Sequence, residues 1–267
     1  MRSGAFSQTM FSQKVQPPAT RPCNALILTA GLTGSSVVAG MLVQAGYWAG
    51  DDTARKPDYD TFENAQLVAL NSRIIAASGY PDRFDRRFDP DLLAGAIDRL
   101  RGIDPAPYRD FIGCCAGHTP WVWKDPRFWL TIRVWANLLN RDGLRIILVS
   151  RESGQSWISH TLRRQIQTPR YCRAYMQGIR ASLLAFITEA RVPHLEIVYE
   201  DLLRDPARVT RALCTLLGAE ITVDHLQTVY RGRLGRRQHG VPSMLRAGLI
   251  YAKNYPSRAQ LGRPPPP

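Results

Sequence analysis

The stretch from Ala25 to Gly46 constrains the fold more than any other part of this 267-residue chain. Ala25–Thr29 is a short apolar run, and Val37–Gln44 can continue as a helix of small apolar residues. The turn between them consists of Gly31, Leu32, Thr33, Gly34, Ser35 and Ser36. A strand, a glycine turn and a helix in this order leave backbone N–H groups unpaired at the helix start, where they favour an anion. The sequence therefore predicts a phosphate-binding turn.

The residue after Gly34 bears on the class of nucleotide. The common phosphate-binding loop, G-x-x-x-x-G-K-[ST], has a lysine where this chain has Ser35. An ATP- or GTP-dependent loop is therefore disfavoured. A small-molecule kinase of the phosphate-loop type, which would need ATP and magnesium, is kept as an alternative.

The same stretch allows two alternatives without a phosphate. No charged residue occurs from Asn24 to Gly50, and a membrane span or signal anchor needs about 20 mostly apolar residues. A glycine turn that binds no ligand is the second alternative. Five glycines and several polar residues interrupt the apolar character, so no integral membrane segment is expected.

Charge and cysteine content limit the function classes. The net charge of +13 favours anionic partners. No zinc finger, RNA-binding aromatic motif or DNA-binding helix pair accompanies it, so nucleic acid is not expected. The five cysteines include no CxxC pair, so no metal site is predicted, and they are interpreted as reduced thiols of a cytoplasmic protein. One domain over 23–250 is expected, with a flexible leader at 1–22 and a Pro-rich tail at 251–267.

Three further apolar segments, 121–123, 144–150 and 194–199, are predicted strands, each followed by a helical pattern. The clearest helix is Pro206–Leu217, with Asp205 as its cap and Gly218 at its end. This alternation predicts an α/β fold of three layers, similar to nucleotide-binding P-loop proteins, in which helices cover both faces of a mostly parallel central sheet. Ligands of such sheets bind at the carboxyl ends of the strands.

Arg151 directly follows the predicted strand 144–150, and Ser159 lies about two turns into the next helix. A guanidinium at a strand end can hold a phosphate bidentately, and the Ser159 hydroxyl can reach the same oxygens. The alternative is a surface arginine paired with Glu152 or Asp201. A second anion site beside the glycine turn predicts a ligand with two separated phosphates.

These segments, in this order, resemble the sulfotransferase family that uses 3′-phosphoadenosine 5′-phosphosulfate (PAPS). Gly31–Ala39 is similar to the family's 5′-phosphosulfate loop, Val149–Ser159 to its 3′-phosphate segment, and Tyr199–Pro206 to a late element before a helix. Lys124-Asp-Pro-Arg127 is similar to a motif of bacterial members, and the resemblance spans about Asn24 to Gly240. It implies a metal-free enzyme that moves a sulfuryl group from PAPS, its co-substrate, to a hydroxyl or amine of a small molecule, glycan or lipid.

Two positions depart from the family pattern. The family's loop has a basic residue where this chain has Leu32, and the resemblance implies that Lys124 or Arg127 supplies the charge, with Lys124 assigned to it. The alternative for these two cations is a local ion-pair network with Asp125. Cytosolic members have a histidine where this chain has Pro126. A catalytically impaired protein that binds nucleotide without turnover is therefore a second alternative.

Glu63 is the candidate general base, as in other branches of the family. Glu63 is predicted to share one helical face with Leu67, Leu70 and Ile74, which points its carboxylate inward. The alternative is structural, because Asp60 and Glu63 have the spacing of a capping box. His118 is a weaker candidate, and His160 is interpreted as a surface residue of a helix.

The basic stretch 230–239 is similar in composition to a late loop with which the family closes its cofactor site. Arg231 and Arg233 are therefore candidates for the adenine and 3′-phosphate end, although such a charge run is usually a solvated face. The acceptor is expected to enter over 79–119, which contains one helix after Pro90. Five tryptophans are interpreted as core residues: Trp121, Trp123, Trp129, Trp135 and Trp157.

Overall fold

The computed structural model describes residues 22–56, 59–80, 90–165, 168–231 and 239–254. The strands are β1 (Asn24–Thr29), β2 (Thr53–Lys56), β3 (Tyr59–Asn64), β4 (Val122–Lys124), β5 (Leu144–Ser150) and β6 (His194–Val198). The helices are α1 (Ser35–Gln44), α2 (Ala65–Ser78), α3 (Pro90–Leu100), α4 (Ala106–Ala116), α5 (Phe128–Trp135), α6 (Ser153–Leu162), α7 (Pro169–Ala190), α8 (Asp201–Arg204), α9 (Pro206–Leu217), α10 (Val223–Arg231) and α11 (Val241–Asn254).

A four-stranded parallel sheet forms the centre of the described chain, in the order β4-β1-β5-β6. Strand β1 is one of its two inner strands, with Ala25 opposite Val122 of β4 on one side and opposite Arg145 of β5 on the other. Because β1 is covered on both faces, it consists almost entirely of apolar residues. The predicted α/β fold with a parallel sheet between helices is confirmed.

Alternate residues of β1 belong to two separate apolar cores. Leu26 and Leu28 face the core that contains the indoles of Trp123 and Trp135, together with side chains of α2 to α5 and α7. Ala25 and Ile27 face the second core, which is formed with α1, α9 and α10. Of the five tryptophans, Trp157 is half-buried against Tyr251 and the other four are buried, as predicted.

The predicted ends of α9 are confirmed. The Asp205 carboxylate accepts a hydrogen bond from the Arg208 N–H at 3.0 Å, and Gly218 ends the helix in a left-handed conformation. The stretch 24–50, for which a membrane span was an alternative, contains β1 of the central sheet and α1, whose apolar side chains are part of the second core. Over the described ranges, no helix combines the length and apolar character needed to cross a bilayer.

The antiparallel hairpin β2–β3 was not predicted, and it corrects the interpretation of Glu63. Glu63 lies near the end of β3, so it shares no helical face with Leu67. The capping-box alternative is also wrong, because the Asn64 side chain caps α2 by accepting from the N–H groups of Gln66 and Leu67. Glu63 therefore belongs to the second strand of this hairpin and not to helix α2.

The segment expected to receive the acceptor contributes to the core. Side chains of α3 and α4, including Leu93, Ala96 and Phe111, are buried in the core that contains Trp123. Residues 81–89 lie outside the described residues. At the other end, α11 continues to Asn254, four residues past the expected boundary at 250.

Candidate functional site

A cavity of about 610 Å³ lies at the carboxyl ends of the parallel strands. The turn after β1, Lys124 at the end of β4 and Arg151 after β5 all line it. Among the described residues of its wall, five side chains are cationic and one is a carboxylate, namely Lys56, Lys124, Arg127, Arg151, Arg163 and Glu63. Such a wall favours an anionic ligand.

The turn that begins the cavity has a left-handed backbone at three positions. Gly31 and Gly34 have φ angles of 82° and 83°, and Leu32 has a φ of 52°. Thr33 faces away from the cavity: its buried hydroxyl hydrogen-bonds that of Thr29. Gly34 is the N-cap of α1, which has no side-chain capping bond. Ser35 and Ser36, the first residues of α1, line the cavity, so the positive end of the helix dipole lies at its wall.

The ring of Tyr199 contacts both ends of the predicted site. A Cβ added to Gly34 would lie 2.2 Å from Cδ2 of that ring, so only glycine permits this approach. The Arg151 guanidinium stands over the same ring, 4.9 Å from its centroid. The glycine turn and Arg151 are therefore separated by about one aromatic ring and line one cavity.

Arg151 is held by a buried carboxylate that the sequence interpretation did not consider. Its Nε donates to Glu200 at 3.1 Å, and its side chain is 7% exposed while that of Glu200 is 1% exposed. The carboxylates proposed as alternative partners pair elsewhere, Glu152 with Arg204 and Asp201 with Arg208. Arg151 is thus fixed toward the cavity instead of lying on the surface.

Arg151, Ser159 and His239 form a chain of hydrogen bonds on the cavity wall. The guanidinium donates to the Ser159 hydroxyl at 2.9 Å, as the spacing predicted, and this oxygen lies 2.8 Å from Nε2 of His239. Gln155 fixes His239 by bonding both its carbonyl and its N–H, at 3.1 and 2.8 Å. The side chains of Arg151, Ser159 and His239 therefore line one end of the cavity together.

Sequence reasoning missed His239, because its partners lie 80 and 84 residues away and no local pattern predicts such contacts. Its place in the basic stretch 230–239 was the only signal. Arg231, which was predicted from the same stretch, is exposed at the end of α10 and does not line the cavity. Arg233 lies outside the described residues.

Lys124 and Glu63 form an ion pair at the α1 end of the cavity. The Lys124 ammonium bonds the Glu63 carboxylate, the Ser36 hydroxyl at 3.2 Å and the carbonyl of Thr61 at 3.2 Å. The lysine side chain is only 4% exposed, whereas Glu63 is 15% exposed toward the cavity. A fixed cation therefore sits at the start of α1 with a carboxylate beside it.

Arg127 is oriented by the buried carboxylate of Asp125, as the ion-pair alternative proposed. Asp125 accepts from the Arg127 N–H at 2.8 Å and its guanidinium at 3.1 Å, and from the Asn71 amide at 2.9 Å. Burial raises the pKa of Asp125, and the Arg127 guanidinium opposes that rise. Lys124, by contrast, pairs with Glu63 and not with Asp125.

Neither His118, the weaker candidate for the base, nor His160, interpreted as a surface residue, lies where the sequence analysis placed it. His118 stacks on Trp48, with ring centroids 4.3 Å apart, and does not line the cavity. His160 is 1% exposed and lines the cavity beside Tyr175, so its interpretation as a surface residue is wrong. The reason is that α6 packs against both α7 and α11, which buries more than one of its faces.

The contact between Gly34 and Tyr199 gives a direct prediction. Gly34→Ala should lower the free energy of unfolding by about 2–3 kcal/mol and weaken anion binding, because it adds an overlapping Cβ to a left-handed backbone. Gly46→Ala is the matched control, since its φ is 91° and nothing lies within 4 Å of the added Cβ. Denaturant unfolding of both variants measures the difference, and equal losses would contradict a tight contact with Tyr199.

No protein-family model matches the chain, and no curated protein matches it by sequence. The solved structures that are similar to it include the three described next. The sulfotransferase domain of an olefin synthase from Synechococcus PCC 7002 is 19% identical, with 85% of each chain covered and a TM-score of 0.46. Sulfotransferase STF9 from Mycobacterium avium is 14% identical over 90% of this chain and 77% of that chain, with a TM-score of 0.42.

The third similar structure is a retinol dehydratase in complex with androsterone and the inactive cofactor PAP. It is 11% identical over 89% of this chain and 82% of that chain, with a TM-score of 0.34. Similarity this low, in both sequence and superposition, leaves the function to be inferred from the site's own residues.

Proposed function

We propose that this protein is a sulfotransferase that moves a sulfuryl group from PAPS to a hydroxyl or amine of an acceptor. The observation that carries the proposal is the pairing of two anion-binding ends in one cavity. One end is the start of α1 with Ser36 and Lys124, and the other is the cluster of Arg151, Ser159 and His239. PAPS has anionic groups at both its 5′ and its 3′ positions.

The donors of the cavity wall fit such a co-substrate in kind and in number. Arg151 would hold the 3′-phosphate through its guanidinium, and the hydrogen-bonded pair of Ser159 and His239 would supply a further donor to the same oxygens. The N–H groups at Ser35 and Ser36 would hold the 5′ end, where the dipole of α1 adds to the attraction. Arg163 also lines the cavity, and it adds a further positive charge.

Glu63 and Lys124 have the roles that the transfer requires. PAPS, when bound, supplies the activated sulfuryl group. The Glu63 carboxylate would accept the proton that the acceptor's hydroxyl or amine loses as its heteroatom bonds to sulfur. The Lys124 ammonium would stabilise the negative charge on the departing phosphate oxygen, in place of the basic residue that Leu32 replaces. Arg127, held by Asp125, adds positive charge nearby.

The proposed compartment is the reducing cytoplasm, and the proposed acceptor is a small molecule, a glycan or a lipid. The five cysteines are free thiols, Cys115 and Cys172 among them buried, which is consistent with a reducing environment. The proposal includes no nucleic acid among the partners.

A second candidate, a nucleotide-binding protein with impaired catalysis, is favoured by one observation. Leu32 and Pro126 both line the cavity, at the two positions where the family has a basic residue and a histidine. Leu32→Arg tests it. If Lys124 already supplies the charge, the rate of transfer should change by less than about 10-fold, whereas a large gain would favour the impaired protein.

Calorimetry tests the proposal itself. The protein should bind adenosine 3′,5′-bisphosphate more tightly than it binds ATP in the presence of magnesium, because ATP has no 3′-phosphate for Arg151. Tight binding of ATP with magnesium and none of the bisphosphate would favour the small-molecule kinase instead. Turnover is measured as bisphosphate release from PAPS with a panel of phenols, sugars and lipid alcohols as acceptors.

A further inference from the structure

Helix α11 carries an apolar face that nothing in the described chain covers. Over the described residues, all exposed large hydrophobic side chains lie on this one helix. Val241, Leu245 and Leu249 are 63%, 61% and 73% exposed, and Met244 is 49% exposed. The spacing of four residues puts the first three side chains on one face of the helix, in a continuous strip.

The opposite face of α11 fixes the helix to the protein. Ala247 is fully buried, and Tyr251 packs edge-on against Trp157 of α6, with ring centroids 5.7 Å apart. Helix α6 also carries Ser159, whose hydroxyl faces the cavity. The exposed strip is therefore held in place beside the proposed active site and belongs to a docked helix.

Positive charge borders the strip. Arg246 directly follows Leu245, and Lys253 lies one turn beyond Leu249, so helical geometry puts both cations on the same flank of the strip. From His225 to the last residue, the chain contains eight arginines and lysines and no aspartate or glutamate. An apolar strip with a cationic flank is the pattern of helices that lie in the interface of an anionic bilayer.

We propose that the exposed face of α11 is a docking surface for an anionic membrane. Val241, Leu245 and Leu249 would enter the boundary between headgroups and acyl chains, while Arg246 and Lys253 would contact the anionic headgroups. A second copy of this chain is a poorer occupant, because pairing through this face would bring two segments of high positive charge together. The proposal concerns the surface alone and does not depend on the reaction that the cavity performs.

Sedimentation with vesicles tests the surface on the full chain. The protein should bind vesicles that contain phosphatidylglycerol, and binding to vesicles of phosphatidylcholine alone should be at least about 10-fold weaker. Leu245→Gln with Leu249→Gln should reduce binding to the anionic vesicles by about 10-fold or more, since glutamine keeps the helix but removes the apolar strip. Both positions are exposed, so the fold should be retained, as circular dichroism can verify.

A matched pair of charge variants separates this surface from the overall positive charge. Arg246→Glu with Lys253→Glu should reduce vesicle binding by about 10-fold or more. Arg101→Glu with Arg109→Glu makes the same change in net charge on exposed residues of the α3–α4 region, and should reduce it by less than about 3-fold. Equal effects of the two pairs would overturn the proposal.

Two other outcomes would also overturn it. One is the absence of vesicle binding by the parent protein, as expected if another part of the chain covers α11. The other is a dimer in light scattering that the glutamine variant abolishes, with vesicle binding unchanged in that variant. Adenosine 3′,5′-bisphosphate binding, measured on the same variants, reports on the cavity separately and should be unchanged.

Discussion

Arg151→Ala is expected to lower the affinity for adenosine 3′,5′-bisphosphate by about 1000-fold and to destabilise the protein by about 3–5 kcal/mol. The first effect follows from the loss of the guanidinium that donates to Ser159 at the proposed 3′-phosphate end. The second follows because Glu200, 1% exposed, would keep its charge without its partner. Calorimetry measures the first effect and denaturant unfolding the second.

A double variant separates the two effects. Arg151→Met with Glu200→Gln removes both buried charges, so most of the stability should return while the bisphosphate still fails to bind. Arg151→Lys keeps the positive charge but loses the planar fork, and should bind with intermediate affinity. Bisphosphate binding that is fully retained in the stable double variant would show that Arg151 is only a structural residue.

Lys124→Met is expected to lower the rate constant of transfer by about 10²–10³-fold and to leave bisphosphate affinity within about 10-fold. The reason is that its ammonium lies at the start of α1, where charge would develop during transfer, whereas Arg151 would hold the other end of the proposed ligand. Rates of bisphosphate release from PAPS, measured with saturating acceptor, give the comparison.

Lys56→Met is the control for charge. Lys56 also lines the cavity but is exposed, and it makes none of the contacts that Lys124 has with Ser36 and Glu63. Its loss should cost less than about 10-fold in rate.

If Lys124 and Glu63 act in one step, Glu63→Gln in the Lys124→Met background should add little to the loss of rate. Independent, multiplying losses would contradict a joint role.

The central sheet and its edge were predictable because their signals are local. β5 and α9 have the predicted bounds, since a run of buried apolar residues and a capped, amphipathic helix are each encoded within a few neighbours. The same sheet rule brought the turn after β1, Lys124 and Arg151 to one cavity. The pairing of Arg151 with Ser159 followed from their helical spacing.

The hairpin β2–β3 and the position of His239 were not predictable, because no local signal in the sequence encodes them. β2 and β3 are short and polar, and most of their residues are half-buried or exposed without a clear alternation, so Glu63 was assigned to the helix that follows. His160 is buried because α7 and α11 pack against α6, and His239 is held in place by Gln155. Both depend on parts of the chain that are distant in sequence. Such contacts leave no periodic trace in the sequence.

The position of the Tyr199 ring, between Gly34 and Arg151, has a thermodynamic consequence. The ring is only 2% exposed and packs against both ends of the cavity, so one aromatic side chain sets the spacing between them. Truncation of Tyr199 is therefore expected to weaken the binding of both halves of the proposed ligand together.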